Sequence, residues 1–376
     1  MEKNKLLQIG SFGQSIWLDF IDRDILRSGK LASLIEQDGV KGITSNPAIF
    51  EKAISSSDDY ADDIAELLKY SHDSEKIFYQ LAVKDIQTAA DLFRGVYCEK
   101  DRRGYDGYVS LEVSPFLAND TEKTIRQAVE LWQAVDRENL MIKIPGTQQG
   151  VPAVRRCIAS GININITLLF SLDRYSEIIE AYISGLEERL SEGKDISKVA
   201  SVASFFLSRI DVVVDPLLKD TEKATLKGKV AVASAKIAYQ KYKAAFNSDR
   251  WNKLADKGAM PQRLLWASTG TKNPEFKDTK YIEELIGPET VTTVPVETLA
   301  AFKDHGNASN TLETDIALSQ ETLDSLSKVN ITLSQITQQL EDEGIHKFNI
   351  PFGNILRLID KAKGNLITTA KDFTKS

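Results

Sequence analysis

Lys143 stands inside an apolar run, Leu140-Met141-Ile142-Lys143-Ile144-Pro145-Gly146, that reads as a strand. Burying an unpaired ammonium is expensive, so such a lysine either finds a partner or gives up its proton. It lies just before Pro-Gly, where the chain leaves the strand. Two carboxylates hold matching positions: Asp19 in Ile16-Trp17-Leu18-Asp19-Phe20 and Glu112 in Val109-Ser110-Leu111-Glu112-Val113. A lysine with two carboxylates near the carboxyl ends of apolar strands forms an acid–base set around an amine nucleophile. The competing reading is a buried Lys–Asp–Glu network that only ties the core.

Polar residues recur at the other strand ends. One strand closes in Thr44-Ser45-Asn46-Pro47, and another carries Asn163, Asn165 and Thr167 at period two, which puts them on one face. Ser204 is followed by Arg209, and a third run ends in Ser268-Thr269-Gly270-Thr271-Lys272. Asn and Ser side chains suit the hydroxyls of a sugar. Arg209 and Lys272, with the small Ser-Thr-Gly turn, suit a phosphate by charge and by close backbone approach. Singly, each is as readily a cap or turn residue; their weight lies in converging on one rim.

Such groups need a scaffold that brings strand ends together. The apolar runs predict strands at Ile16–Phe20, Gly42–Ser45, Tyr108–Val113, Leu140–Ile144, Ile162–Leu168, Val199–Phe206, Leu264–Thr269 and Val291–Val296. Most are apolar on both phases, as strands covered on both faces are. Helical spacing intervenes: Asn119-Asp120-Thr121-Glu122 resembles a capping box before Ile125, Ala128, Val129, Trp132 and Val135. Helices are predicted at Gln149–Ser160 and Leu172–Ser191, with Gly161 and Gly193 as stops. The expected class is α/β, a (β/α)8 TIM barrel with extra helices. A doubly wound open sheet is the competitor, weakened by the lack of a glycine-rich loop after the first strand. One barrel domain spanning 1–376 is expected, with helical insertions at 47–103 and 209–250 and a helical region at 306–376. That last region either covers the barrel mouth, presenting a basic residue such as Lys347, or packs on the outside.

Composition narrows the partners. The net charge of −7 argues against a broad nucleic-acid surface while allowing a small basic pocket. No apolar run approaches the roughly 20 residues that span a bilayer, and MEKNKLLQIG has no apolar core of signal-peptide length. Cys98 and Cys157, both in segments that read as helical, fit a reducing compartment. His72, His305 and His346 are too scattered for a histidine metal site. A cytoplasmic protein without a metal is expected; whether it is a monomer or homodimer is not written in the sequence.

Gly42-Ile43-Thr44-Ser45-Asn46-Pro47-Ala48-Ile49-Phe50 resembles the first transaldolase signature. Leu140–Gly150, built around Lys143, resembles the second, and Ser110–Val113, Ile164–Phe170 and Ala203–Phe206 fill the expected places between and after them. The resemblance runs in order from Asp19 to His305. Trp266–Asn273 and the chain length are similar to the longer bacterial branch of actinobacteria and cyanobacteria.

The resemblance implies that Lys143 forms a Schiff base with a ketose phosphate and that Asp19 is the general base taking the C4 hydroxyl proton. Glu112 and Thr167 would hold a proton-shuttling water. Thr44, Asn46, Asn165 and Ser204 would contact the sugar, and Arg209 the phosphate. The shorter transaldolases carry an arginine two residues after the strand-seven serine; this chain has Gly270 there, which shifts the expectation to Ser268 and Lys272. The implied reaction moves dihydroxyacetone from sedoheptulose 7-phosphate to glyceraldehyde 3-phosphate, with no metal or organic cofactor. A fructose 6-phosphate aldolase is the near alternative, and a non-catalytic sugar-phosphate-binding barrel the remote one.

Overall fold

Eight parallel strands close into a barrel in a computed structural model that describes residues 4–100 and 102–373. They are β1 (Gln14–Asp19), β2 (Val40–Thr44), β3 (Val109–Glu112), β4 (Leu140–Pro145), β5 (Ile164–Leu169), β6 (Ser201–Phe206), β7 (Arg263–Ala267) and β8 (Thr290–Val294). Each pairs with the next in sequence, and β1 pairs with β8. Side chains on one face fill the barrel while those on the other meet the surrounding helices, which is why the runs are apolar on both phases. All eight predicted strands are present, displaced at either end by no more than two residues.

Register decides which groups meet. Asp19 pairs with Thr44 across β1 and β2, Glu112 with Lys143 across β3 and β4, and Lys143 with Asn165 across β4 and β5. The opposite end of the barrel is sealed by polar contacts. Arg263, at the start of β7, donates to Asp106 Oδ1 at 2.9 Å and to Ser15 Oγ at 3.0 Å. Asn163 belongs to that end too. Its Nδ2 donates to the carbonyls of Glu138 (2.9 Å) and Leu140 (3.0 Å), and its Oδ1 accepts the Ala200 N–H at 2.9 Å. It therefore staples the starts of three strands and stands apart from Thr167 at the other end of β5.

Helices cover the strands much as their periodicity predicts. Leu172–Ser191 matches its expected limits and Gly150–Ala159 lies within its own; Gly161 (φ +86°) and Gly193 (φ +73°) follow them in the left-handed region. The helix Thr121–Val135 is capped by Asp120, whose Oδ1 accepts the Lys123 N–H at 3.0 Å. The reciprocal glutamate of a capping box is missing because Lys123, not a glutamate, occupies the third helical position, while Glu122 pairs with Arg156. The insertion at 47–103 contains Pro47–Ser55, Ala61–Leu67, Ser74–Leu92 and Arg94–Tyr97. Cys98 caps the last of these and is exposed; Cys157 is buried, and both are free. The stretch at 209–250 breaks between Ser208–Leu218 and Val230–Phe246, around Gly228 at φ +71°.

The last helix, Leu333–Phe373, packs on Pro47–Ser55, on Ser74–Leu92 and on β5, and so lies over the carboxyl ends of the strands. Of the two expectations, it covers the mouth rather than only packing on the outside. Lys347 is not the residue it presents, since its Nζ pairs with Glu343 at 2.8 Å on the exposed side. Among the described residues no helix is long and apolar enough to cross a membrane.

The turn after β4 leaves no room for a side chain. A Cβ on Gly150 would stand 1.9 Å from the Pro145 carbonyl oxygen, against backbone that cannot move away without shifting the strand that carries Lys143. Gly150→Ala is expected to destabilise the protein by about 1–3 kcal/mol or more. Gly10→Ala, in a helix where a Cβ meets nothing within 4 Å, is expected to be neutral or to gain about 0.5–1 kcal/mol. Denaturation midpoints of the two variants test the contrast.

Candidate active site

β4 delivers Lys143 to the barrel mouth at 5% exposure. Its Nζ donates to the Ser45 carbonyl at 2.9 Å and lies 3.5 Å from Glu112 Oε2. Glu112 is equally buried, and among the described residues neither of its carboxylate oxygens accepts a well-formed hydrogen bond. Burial pushes its pKa up to about 7; Lys143 pulls the other way and Asp19 adds to the rise. On the far side of β4, the Thr167 hydroxyl is also buried without a partner among the described residues. The lysine is thus flanked by a carboxylate poised between its two protonation states and a free hydroxyl.

Asp19 is only half-buried and accepts a hydrogen bond from Thr44 Oγ1 at 2.8 Å. Asn46 caps the helix Pro47–Ser55 by accepting the Ile49 N–H on Oδ1 at 3.0 Å, which leaves its Nδ2 for a ligand. Ser204 Oγ donates to Asn165 Oδ1 at 2.7 Å, while Asn165 Nδ2 donates to Ser110 Oγ at 3.0 Å.

Arg209 sits in the first turn of Ser208–Leu218, with its guanidinium 5.7 Å from the Phe206 ring. Burial lowers its pKa from the ordinary value, with Glu343 and Asp19 opposing, and its Nη1 has no partner among the described residues. A buried, unpaired guanidinium nitrogen is a ready partner for an anion. Ser268 takes a left-handed φ of +55° and shares a 2.9 Å hydrogen bond with Ser208 Oγ. Gly270 stands where a Cβ would be 3.9 Å from Lys272 Nζ, so the space an arginine side chain would enter is approached by the lysine.

A cavity of about 170 Å3 joins these groups. Asp19, Thr44, Asn46, Lys143, Thr167, Ser204, Arg209, Ser268 and Lys272 line it. Glu112 and Asn165 do not reach its wall and lie beside Lys143, their register partner on either side. A wider cleft of about 400 Å3 lies next door between Ser208 and Tyr281 and shares Lys272, but holds neither Lys143 nor Asp19. Two aromatic wall residues, Phe206 and Phe348, were not singled out from the sequence. Phe206 was readable, because it follows Ser204 at period two on the same strand. Phe348 comes from the last helix, where its spacing looks like any apolar helix position.

The arrangement offers an amine nucleophile, a carboxylic acid beside it, a second carboxylate in the same cavity and a cationic end. Comparison with known proteins identifies the family. Residues 16–359 match the family model described as transaldolase/fructose-6-phosphate aldolase. The chain is 50% identical to a protein named transaldolase from Trichodesmium erythraeum, over 96% of this chain and 98% of the relative. It is 49% identical to transaldolase 2 of Nostoc punctiforme, over 96% and 99%. Identity to the transaldolase of the actinobacterium Saccharopolyspora erythraea is 44%, over 96% and 99%. With likeness at that level along nearly the whole chain, this protein belongs to the transaldolase/fructose-6-phosphate aldolase family.

Proposed function

We propose that the protein is a transaldolase, transferring dihydroxyacetone from sedoheptulose 7-phosphate to glyceraldehyde 3-phosphate and yielding erythrose 4-phosphate and fructose 6-phosphate. That reaction belongs to the non-oxidative pentose phosphate pathway of the cytoplasm. The observation that carries the reading is Lys143 at 3.5 Å from Glu112, in one cavity with Asp19 and Arg209.

Lys143 attacks the ketose C2 carbonyl, and the carbinolamine loses water to give a protonated imine. Glu112, with a pKa near 7, both gives and takes protons in that step, through a water held with Thr167. Asp19, half-buried and oriented by Thr44, takes the C4 hydroxyl proton as the C3–C4 bond breaks. The imine accepts the electrons, so no further electron sink is required. Asn46 and Ser204 face the sugar hydroxyls, with Asn165 orienting Ser204 from behind. Arg209, Ser268 and Lys272 hold the phosphate, Lys272 as a point charge in place of a forked arginine.

Borohydride reduction in the presence of fructose 6-phosphate is expected to leave a single three-carbon adduct on Lys143, seen by peptide mass spectrometry and lost in Lys143→Ala. An adduct elsewhere, or none, removes the mechanism. Release of free dihydroxyacetone as fast as transfer would instead assign the chain to the aldolase branch.

Glu112 gives a pH prediction. Its folded value of about 7 exceeds the ordinary 4.5, so the folded chain holds the proton more tightly than the unfolded chain. The stability this contributes is complete below 4.5 and is lost as pH rises through about 7. Glu112→Gln should remove that downward slope from the pH dependence of unfolding free energy. It should also lower kcat and erase the limb near neutrality in the rate profile.

Arg209→Ala should raise KM for sugar phosphates about 10- to 100-fold, the scale of a lost charged hydrogen bond of roughly 1.5–3 kcal/mol. Lys272 is exposed. Lys272→Ala should raise KM by only about 3-fold, more at low salt than at high, as a screened charge does. Steady-state kinetics at two ionic strengths separate the two.

A further inference from the structure

The helix Leu333–Phe373 is no part of the strand–helix repeat, yet it supplies a wall of the reacting cavity. It is anchored on both sides of the mouth. After β5, Arg174 Nε stands 3.7 Å from Glu341 Oε2. Across the mouth, Asn354 Nδ2 donates to Glu51 Oε1 at 2.5 Å and Ser74 Oγ to Asp360 Oδ1 at 2.6 Å. Between these anchors Gly344 rests on Leu168, so closely that a Cβ would come within 2.9 Å of Leu168 Cδ2. One turn later Phe348, 5% exposed, faces the cavity that holds Lys143. Phe352, a turn beyond, is fixed by edge contacts with Phe78 and Phe116. The helix on either side of Phe348 is therefore held in place.

We propose that Phe348 is a specificity-determining residue, an apolar roof that keeps water from the three-carbon intermediate on Lys143 and so favours transfer over release. The inference rests on the transaldolase reading. After C3–C4 cleavage the Lys143-bound enamine has two exits. In transfer, its nucleophilic carbon forms a bond to the acceptor's aldehyde carbon, and the aldehyde oxygen takes up a proton. In release, that same carbon takes a proton from water or a water-borne acid, giving the iminium. Water then adds to the C=N carbon, the C–N bond breaks, and free dihydroxyacetone leaves with the Lys143 ammonium restored. Both exits end in imine hydrolysis, but only release begins with a proton delivered to carbon. An apolar ring over the cavity withholds the water that would carry it. The polar groups that manage the useful water, Glu112 and Thr167, lie on the strands that flank Lys143, not on the roof.

The test measures transfer and free dihydroxyacetone release on the same samples of full-length Phe348→Leu, Phe348→Val and Phe348→Ala. The Lys143 borohydride adduct is followed in each. The release-to-transfer ratio is expected to rise with lost side-chain volume, within about twofold for Leu and roughly tenfold or more for Ala, a tenfold change being about 1.4 kcal/mol. Should the alanine variant fail to fold, the valine variant carries the same comparison. A ratio unchanged across the folded variants, with the adduct still forming and only the overall rate falling, would overturn the roof and leave Phe348 as packing. Absence of the adduct in the wild type would overturn the transaldolase reading instead, so the two failures are distinct.

Discussion

An amine buried at the end of a parallel strand has few ways to be satisfied, and the site is built around that constraint. Lys143 Nζ reaches the Ser45 carbonyl and the Glu112 carboxylate, and the side chain lines a largely polar cavity at the barrel mouth. Each of those partners is itself placed by register, Glu112 beside Lys143 on β3 and Ser45 at the end of β2. A slip of one residue in any of these strands would turn the side chains to the outer face. At the bottom of the barrel Asn163 staples three strand starts and Arg263 joins Asp106 to Ser15, contacts that this register satisfies.

Burial does a second service at this site. The desolvation that raises Glu112 towards neutrality also strengthens its interaction with the lysine 3.5 Å away. Asp19, half-exposed, stands outside that environment, and its orientation comes from Thr44. The two carboxylates near this one lysine therefore sit in different surroundings, one enclosed and one partly open to solvent.

The added helices give the mouth its closure. Arg23, buried between β1 and the insertion, joins Asp85 at 3.1 Å and Asp63 at 2.7 Å and stacks on Tyr60. Breaking such a cluster by removing one partner leaves an uncompensated charge, worth about 3–5 kcal/mol. It joins Ala61–Leu67 and Ser74–Leu92, two of the helices on which the terminal helix lies. The cavity and the helices that cover it are thus packed together, although far apart in sequence.

Eight strands and their order could be read from apolar runs, since a strand covered on both faces has no polar phase to hide it. Lys143, Asp19 and Glu112 were visible for the converse reason, being charges where charge is costly. The helix cap at Asp120 and the fate of Asn163 were misread, because a cap is decided by which N–H the oxygen meets, and period two says nothing about which barrel end a residue faces. Phe348 carried no local signal: an apolar residue on a helix looks the same whether it meets a core or a cavity. The chain by itself determined the barrel and the chemistry of its strand ends, through periodicity and the energetic cost of buried charge. The tertiary structure alone decided that Glu112 and Asn165 stand beside the lysine and that a distant helix lines the cavity, because both depend on long-range packing between segments whose separation the sequence does not encode.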